Sequence, residues 1–103
     1  MWVLFTTHMA SKKNLGRALR MARRASGVSQ DDLSVVSSRS FVSSVERGIK
    51  SPTIEKLSVM ARAMGLRAAS VLIVATVLES SRQPDEVLQE LADETAAILA
   101  AGE

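Results

Sequence analysis

Residues Ser29–Gly48, SQDDLSVVSSRSFVSSVERG, decide the fold. Ser29 followed three residues later by Asp32 is a capping-box-like helix start, and Asp31 and Asp32 suit the positive end of a helix dipole. Leu33 and Val36 give this short helix a buried face. Ser37-Ser38 then turns the chain and caps a second helix, in which Val42 and Val45 stand at i, i+3 with Phe41 beside them, and Gly48 ends it. The outer face of that second helix carries Arg39, Ser40, Ser43 and Ser44, small or forked polar groups suited to hydrogen bonding with base edges in DNA. An ordinary solvated helix surface favours Glu, Lys and Gln over a run of serines.

Upstream, Leu15, Ala18, Leu19 and Ala22 fall at i, i+3, i+4 and i+7, which predicts a helix over Asn14–Ser26 stopped by Gly27. Arg17, Arg20, Arg23 and Arg24 lie largely off its apolar face. Downstream, Thr53 is the expected N-cap of a helix whose inner stripe is Ile54, Leu57, Ala61 and Met64, ended by Gly65. Leu66–Leu78 contains VLIVATVL, apolar on nearly every side. It is far shorter than the roughly 20 apolar residues that span a bilayer, so its second face is expected to meet another copy of the chain. Glu79–Gln83 reads as a polar hinge. Pro84, Asp85 and Glu86 open a last helix with the stripe Val87, Leu88, Leu91, Thr95, Ile98 and Leu99.

With 103 residues, the chain suits one compact core. It is 47% hydrophobic but only 3% aromatic, which favours helices packed with Leu, Val, Ile, Ala and Met over a β domain. The absence of cysteine excludes disulfides, iron–sulfur clusters and thiolate zinc sites, and fits a reducing cytoplasm. A net charge of +2 hides an asymmetry: residues 1–67 hold twelve of the thirteen basic side chains and four of the eleven acids. Residues 68–103 hold Arg82 against seven acids, so a body of +8 precedes a tail of −6. A basic body of this kind points to a polyanionic partner. His8 is the only histidine, and no nucleophile–base pair or metal set can be assembled around it, so no enzyme, metal or cofactor is expected. The opening MWVLFTTHMASKKN lacks the order of a signal peptide. It reads as a disordered arm, as residues ahead of an internal start at Met9, or as a segment packing Trp2, Leu4 and Phe5 on the domain or a partner.

The first-helix pattern LGRALRMARRASG, the dipeptide Ser29-Gln30, the run SRSFVSSVERG and the segment KSPTIEKLSVMARAMGL occur in one order and spacing. Together they resemble the helix-turn-helix regulators of the lambda-repressor and Cro type, the xenobiotic-response-element family, over roughly residues 14–75. The resemblance implies an all-α fold, a five-helix lambda-repressor-like DNA-binding domain with an additional C-terminal amphipathic helix. It divides the chain into an arm (1–13), the DNA-binding domain (14–78, with a dimerisation helix at 66–78), and a hinge with the last helix (79–103). The usual family turn is two residues longer and contains a glycine. Here Val35-Val36-Ser37-Ser38 has none, so a shortened second helix or a tightened turn is expected.

By the same resemblance, Arg39, Ser40, Ser43 and Ser44 read bases, and Gln30, Ser38, Arg47, Lys50 and Arg17 touch phosphates. Glu46 pairs with Arg23 as a structural ion pair. The dimer interface is expected to comprise Val71, Leu72, Ile73, Val74, Val77, Leu78, Leu91 and Ile98. The implied function is that of a sequence-specific transcriptional regulator, of repressor or controller type, acting in the cytoplasm as a homodimer on double-stranded DNA. The alternative is an antitoxin-like module that binds a partner protein through its acidic C-terminal helix.

Overall fold

The computed structural model describes residues 11–102. The expectations for the opening arm, the start at Met9 and His8 lie outside the described residues. The described residues form six helices and no strand: α1 (Lys12–Ala25), α2 (Gln30–Leu33), α3 (Arg39–Glu46), α4 (Ile54–Ala63), α5 (Ala68–Ser80) and α6 (Pro84–Ala101). No single helix among them is long and apolar enough to cross a membrane.

Local chemistry sets most of the boundaries. α1 begins two residues earlier than its apolar pattern suggested, because the Ser11 hydroxyl accepts the Asn14 N–H at 3.1 Å and caps the helix at Lys12. Lys12 and Lys13 therefore belong to the helix and not to the arm. Thr53 caps α4 by accepting the Lys56 N–H, and Pro84 occupies the first turn of α6. The hinge is shorter than expected, since α5 continues to Ser80 and Ser81 turns the chain with φ at 57°. Arg82 holds that corner, with Nη1 at 2.8 Å from Glu90.

The core draws on Leu15, Ala18 and Leu19 of α1, Leu33 of α2, Val42 and Val45 of α3, Leu57, Met60 and Ala61 of α4, and Val71 and Ala75 of α5. α1 packs on α5 and α3, while α6 touches α5. Ile54 departs from its expected place in the inner stripe, being 62% exposed. The buried positions are Leu57, Met60, Ala61 and Met64, so Ile54 carries the stripe past the end of the core. Glu79 joins the two ends of the α1–α5 pair by accepting the Ser11 N–H and the Asn14 Nδ2–H, each at 2.9 Å.

The apolar α5 divides its faces in a way that corrects one expectation. Val71 is only 1% exposed and lies inside the chain's own core, so it has no surface to give a second copy. Leu72, Val74 and Leu78 are partly covered by that same core. Ile73 and Val77 are half-buried, as is Leu91 on α6. Beyond Leu91 the described residues of α6 are all exposed, with Ile98 at 72% and Leu99 at 74%. The last helix therefore buries only its first turns, chiefly through Val87.

Candidate nucleic-acid interface

α2 and α3 are set by three hydroxyl and carboxylate caps. The Ser29 Oγ accepts the Asp32 N–H at 3.0 Å, while Asp32 Oδ2 accepts the Ser29 N–H at 2.8 Å. The Ser29 backbone N–H, with its side chain, holds the Asp32 carboxyl below its ordinary range. Ser38 caps α3 by accepting the Phe41 N–H at 3.2 Å. The connection between the helices is compact: α2 has four residues, and the Val36 and Ser37 N–H groups both return to the Leu33 carbonyl. No residue of this turn takes a positive φ, which is why it needs no glycine. Ser37 is 5% exposed, and its hydroxyl is buried without a hydrogen-bond partner.

Beneath these helices lies a buried carboxylate. The Glu46 side chain has no exposed surface. It accepts Arg23 Nε at 2.7 Å on Oε2, and on Oε1 it accepts Arg23 Nη2 at 3.0 Å and Gln30 Nε2 at 3.1 Å. Arg20 Nε reaches Oε1 at 3.5 Å, and Arg23 Nη1 also donates to the Val28 carbonyl at 3.1 Å. One acid thus ties α1, the α1–α2 loop, α2 and α3 together. Burial pushes the Glu46 carboxyl up, but the hydrogen bonds and charge of Arg23, with help from Gln30 and Arg20, outweigh it and hold the pKa below the usual range. The Glu46–Arg23 pair is thus present as the sequence implied, but Arg20 and Gln30 complete it.

Gln30 is accordingly placed differently from its expected role at a phosphate. Its amide N–H is turned inward, because a desolvated carboxylate demands donors more strongly than solvent does. Arg39 and Ser40 are exposed at the first turn of α3. The Arg39 Nη1 lies 3.0 Å from Asp31 Oδ1, with both side chains largely in solvent. Ser43 and Ser44 are half-buried. Their carbonyls serve the helix end: that of Ser43 accepts from Arg47, and that of Ser44 accepts the Ile49 and Lys50 N–H groups. Ser38 commits its hydroxyl to the cap and stands 3.5 Å from the Ser40 hydroxyl.

Cations flank α3 at both ends. Arg47, its C-cap, and Lys50 just beyond it are exposed. Lys50 Nζ lies 5.9 Å from the Phe41 ring centroid, and Lys56 Nζ approaches the same ring at 5.6 Å. Lys56, on the first turn of α4, was not singled out in the sequence, nor was Lys13. The start of α1 lies against the end of α3, where a Cβ on Gly48 would come 3.0 Å from the Lys13 Cα. Gly48 takes a φ of 77° besides, so glycine is required there twice over. Arg17 is exposed on α1 and donates to Asn14 Oδ1 at 3.2 Å. The concentration of cations in residues 1–67 was the only sequence signal for Lys13 and Lys56, and it is not specific to position.

Gly16 is the other residue that pattern reading passed over. A Cβ there would sit 2.3 Å from the Val45 carbonyl oxygen and 2.8 Å from that of Glu46. The two backbones meet at this point, and the meeting sets the depth at which α3 rests on α1.

Comparison with known proteins agrees with this architecture. The helix-turn-helix family profile matches residues 19–70. Among solved structures, the clp gene regulator ClgR from Corynebacterium glutamicum is 32% identical with a TM-score of 0.64, the alignment covering 85% of this chain and 88% of that one. Among curated protein sequences, none matches. With two capped helices joined by a tight turn, a buried acid bracing them and a profile that spans both, the chain belongs to the helix-turn-helix family of the lambda-repressor and Cro type.

Proposed function

We propose that the protein is a sequence-specific transcriptional regulator that binds double-stranded DNA as a homodimer on a roughly palindromic operator. The observation that carries this reading is the exposed first turn of α3, where Arg39 and Ser40 stand at the start of a capped helix flanked by Arg47, Lys50, Lys56 and Lys13. In helix-turn-helix proteins the N-terminal residues of the second helix reach base edges, while cations around it grip the backbone. The fork of the Arg39 guanidinium matches O6 and N7 of guanine. Ser40 offers a hydroxyl beside it, and Ser43 and Ser44, partly covered, contribute less. Occupying a promoter in this way gives repression, and the place of action is the cytoplasm.

Selection of bound sites from random duplexes tests the reading directly. Enriched sequences should contain inverted half-sites about 34 Å apart, one helical turn. A pool that shows no enrichment contradicts it. Replacing Arg47 or Lys50 by alanine should weaken binding to every sequence, and should flatten the slope of log K against log salt by about 0.9 per lost phosphate contact. An unchanged slope removes that residue from the phosphate set.

For the dimer, with Val71 inside the chain's own core, the available surfaces are the half-buried Ile73 and Val77 of α5, together with Leu91, Ile98 and the exposed Leu99 of α6. Leu72, Val74 and Leu78 give only their outer edges. A charge at the centre of an apolar contact is strongly unfavourable, so Ile73→Asp should convert a sedimenting dimer to monomer. A variant that sediments like the parent excludes α5 from the interface. If the parent chain itself sediments as a monomer, the uncovered half of α6 is better explained by a different protein partner, the antitoxin-like reading.

A further inference from the structure

We propose that Asp31 is a specificity-determining positioning residue, which holds the Arg39 guanidinium over the bases and restricts what that arginine reads. The inference rests on the reading of Arg39 as a base contact.

Asp31 and Asp32 are adjacent acids at the start of α2, and the structure separates their roles. Asp32 makes the cap with Ser29. The Asp31 carboxylate takes no part in that cap and instead meets Arg39 Nη1 at 3.0 Å across the turn. The main chain of Asp31 is well held, its carbonyl accepting both the N–H and the hydroxyl of Ser34. Arg39 is equally fixed at its root as the first residue of α3, behind the Ser38 cap. The pair therefore joins two anchored backbones through two exposed side chains, at 64% and 70%.

Exposed ion pairs of this kind add little or nothing to stability. A carboxylate at the edge of a surface that meets a polyanion also lowers affinity for every sequence by like-charge repulsion. An acid in the first turn of α2 suits the helix dipole, but the dipole does not require its carboxylate to reach across the turn to Arg39; discrimination accounts for that contact. The guanidinium has five N–H donors, and one terminal nitrogen engaged by Asp31 leaves the other edge of the fork to meet guanine. Ordering a long side chain before contact reduces the entropy lost on binding. An arginine tethered in this way cannot swing to a neighbouring base or to a phosphate without giving up its carboxylate, so wrong sequences lose a contact they would otherwise recover.

The test uses the full chain, a duplex carrying the selected operator, versions of it changed at each base pair in turn, and a random-sequence duplex, all at one salt concentration. In Asp31→Ala and Asp31→Asn, binding to the random duplex should rise, while the preference at one base pair falls by about two- to fivefold, the most an exposed ion pair contributes. In an Arg39→Ala background, which has already lost that preference, Asp31→Ala should leave the ratio at that pair unchanged. Thermal melting should differ little among the four variants, Asp31→Ala, Asp31→Asn, Arg39→Ala and the double change. The proposal is overturned if Asp31→Ala keeps the full preference, or if it lowers binding to all duplexes alike. If Arg39→Ala alters no base-pair preference, the proposal fails while DNA binding stands. If the parent chain prefers no sequence at all, both readings fall together.

Discussion

Replacing Glu46 by alanine should destabilise the protein by about 3–5 kcal/mol, the usual cost of removing one partner from a buried ion pair. The side chain has no exposed surface and accepts from Arg23, Gln30 and Arg20. Its loss leaves the Arg23 guanidinium, whose side chain is only 13% exposed, without its carboxylate. Small domains are stable by about 5–15 kcal/mol in total, so the variant should sit close to unfolding at ambient temperature. The midpoint of a denaturant titration measures this, and a shift equivalent to less than about 1 kcal/mol would show that the pair is not a brace. Glu46 also predicts an acid limb. Its folded pKa is depressed from an ordinary 4.5, so its contribution is fully present above that value and is lost as pH falls through the folded pKa. Below pH 4.5 the parent should therefore lose stability more steeply than Glu46→Ala. Asp32 and Glu79 are depressed as well and add slope of the same sign to both proteins, so the difference between the two curves isolates Glu46.

Gly16→Ala should be the most damaging single-methyl change in the chain. The new Cβ would stand 2.3 Å from the Val45 carbonyl and 2.8 Å from the Glu46 carbonyl, and backbone atoms cannot rotate out of the way. α1 and α3 must separate, at an overpacking cost near the upper end of about 1–3 kcal/mol. The roughly 0.5–1 kcal/mol that alanine returns over a helical glycine offsets only part of it. The separation also moves α3 relative to the cations of α1 and the α3–α4 loop. DNA affinity should therefore fall by more than the loss of folded protein explains, when measured at a temperature where circular dichroism shows the variant fully helical. A variant with parental stability and affinity would mean that the two helices are not in the contact described.

Much of this fold was legible because its signals are local. The Ser29–Asp32 box, the Ser38 and Thr53 caps and Pro84 act within three or four residues of themselves, and each stands where the pattern put it. The one early start, at Lys12, follows the same rule, with Ser11 as the cap. That Arg39 and Ser40 fall on the first turn of α3 was legible for a related reason, since the Ser38 cap starts the helix there.

The contacts that needed the third dimension all join residues far apart in the chain. Nothing in LGRALRM distinguishes Gly16 from a tolerated helical glycine, since the atoms that demand it lie on Val45 and Glu46. Lys13 and Lys56 join the cations beside α3 only because the start of α1 lies against Gly48 and the first turn of α4 brings Lys56 over Phe41. A helix apolar on nearly every side carries no pattern to say which face turns inward, so the burial of Val71 was decided by the packing of α5 against α1 and α4.

Ser29–Gly48 alone thus determined that two capped helices are joined by a tight turn, because capping is a matter of hydrogen bonds between near neighbours. Only the tertiary structure decided how those helices are held. It turned Gln30 away from solvent and onto Glu46, drew Arg20 to the same carboxylate, and set Asp31 against Arg39. The physical reason is that a desolvated or tethered charge chooses its partners by position in space, and the folded chain supplies those positions.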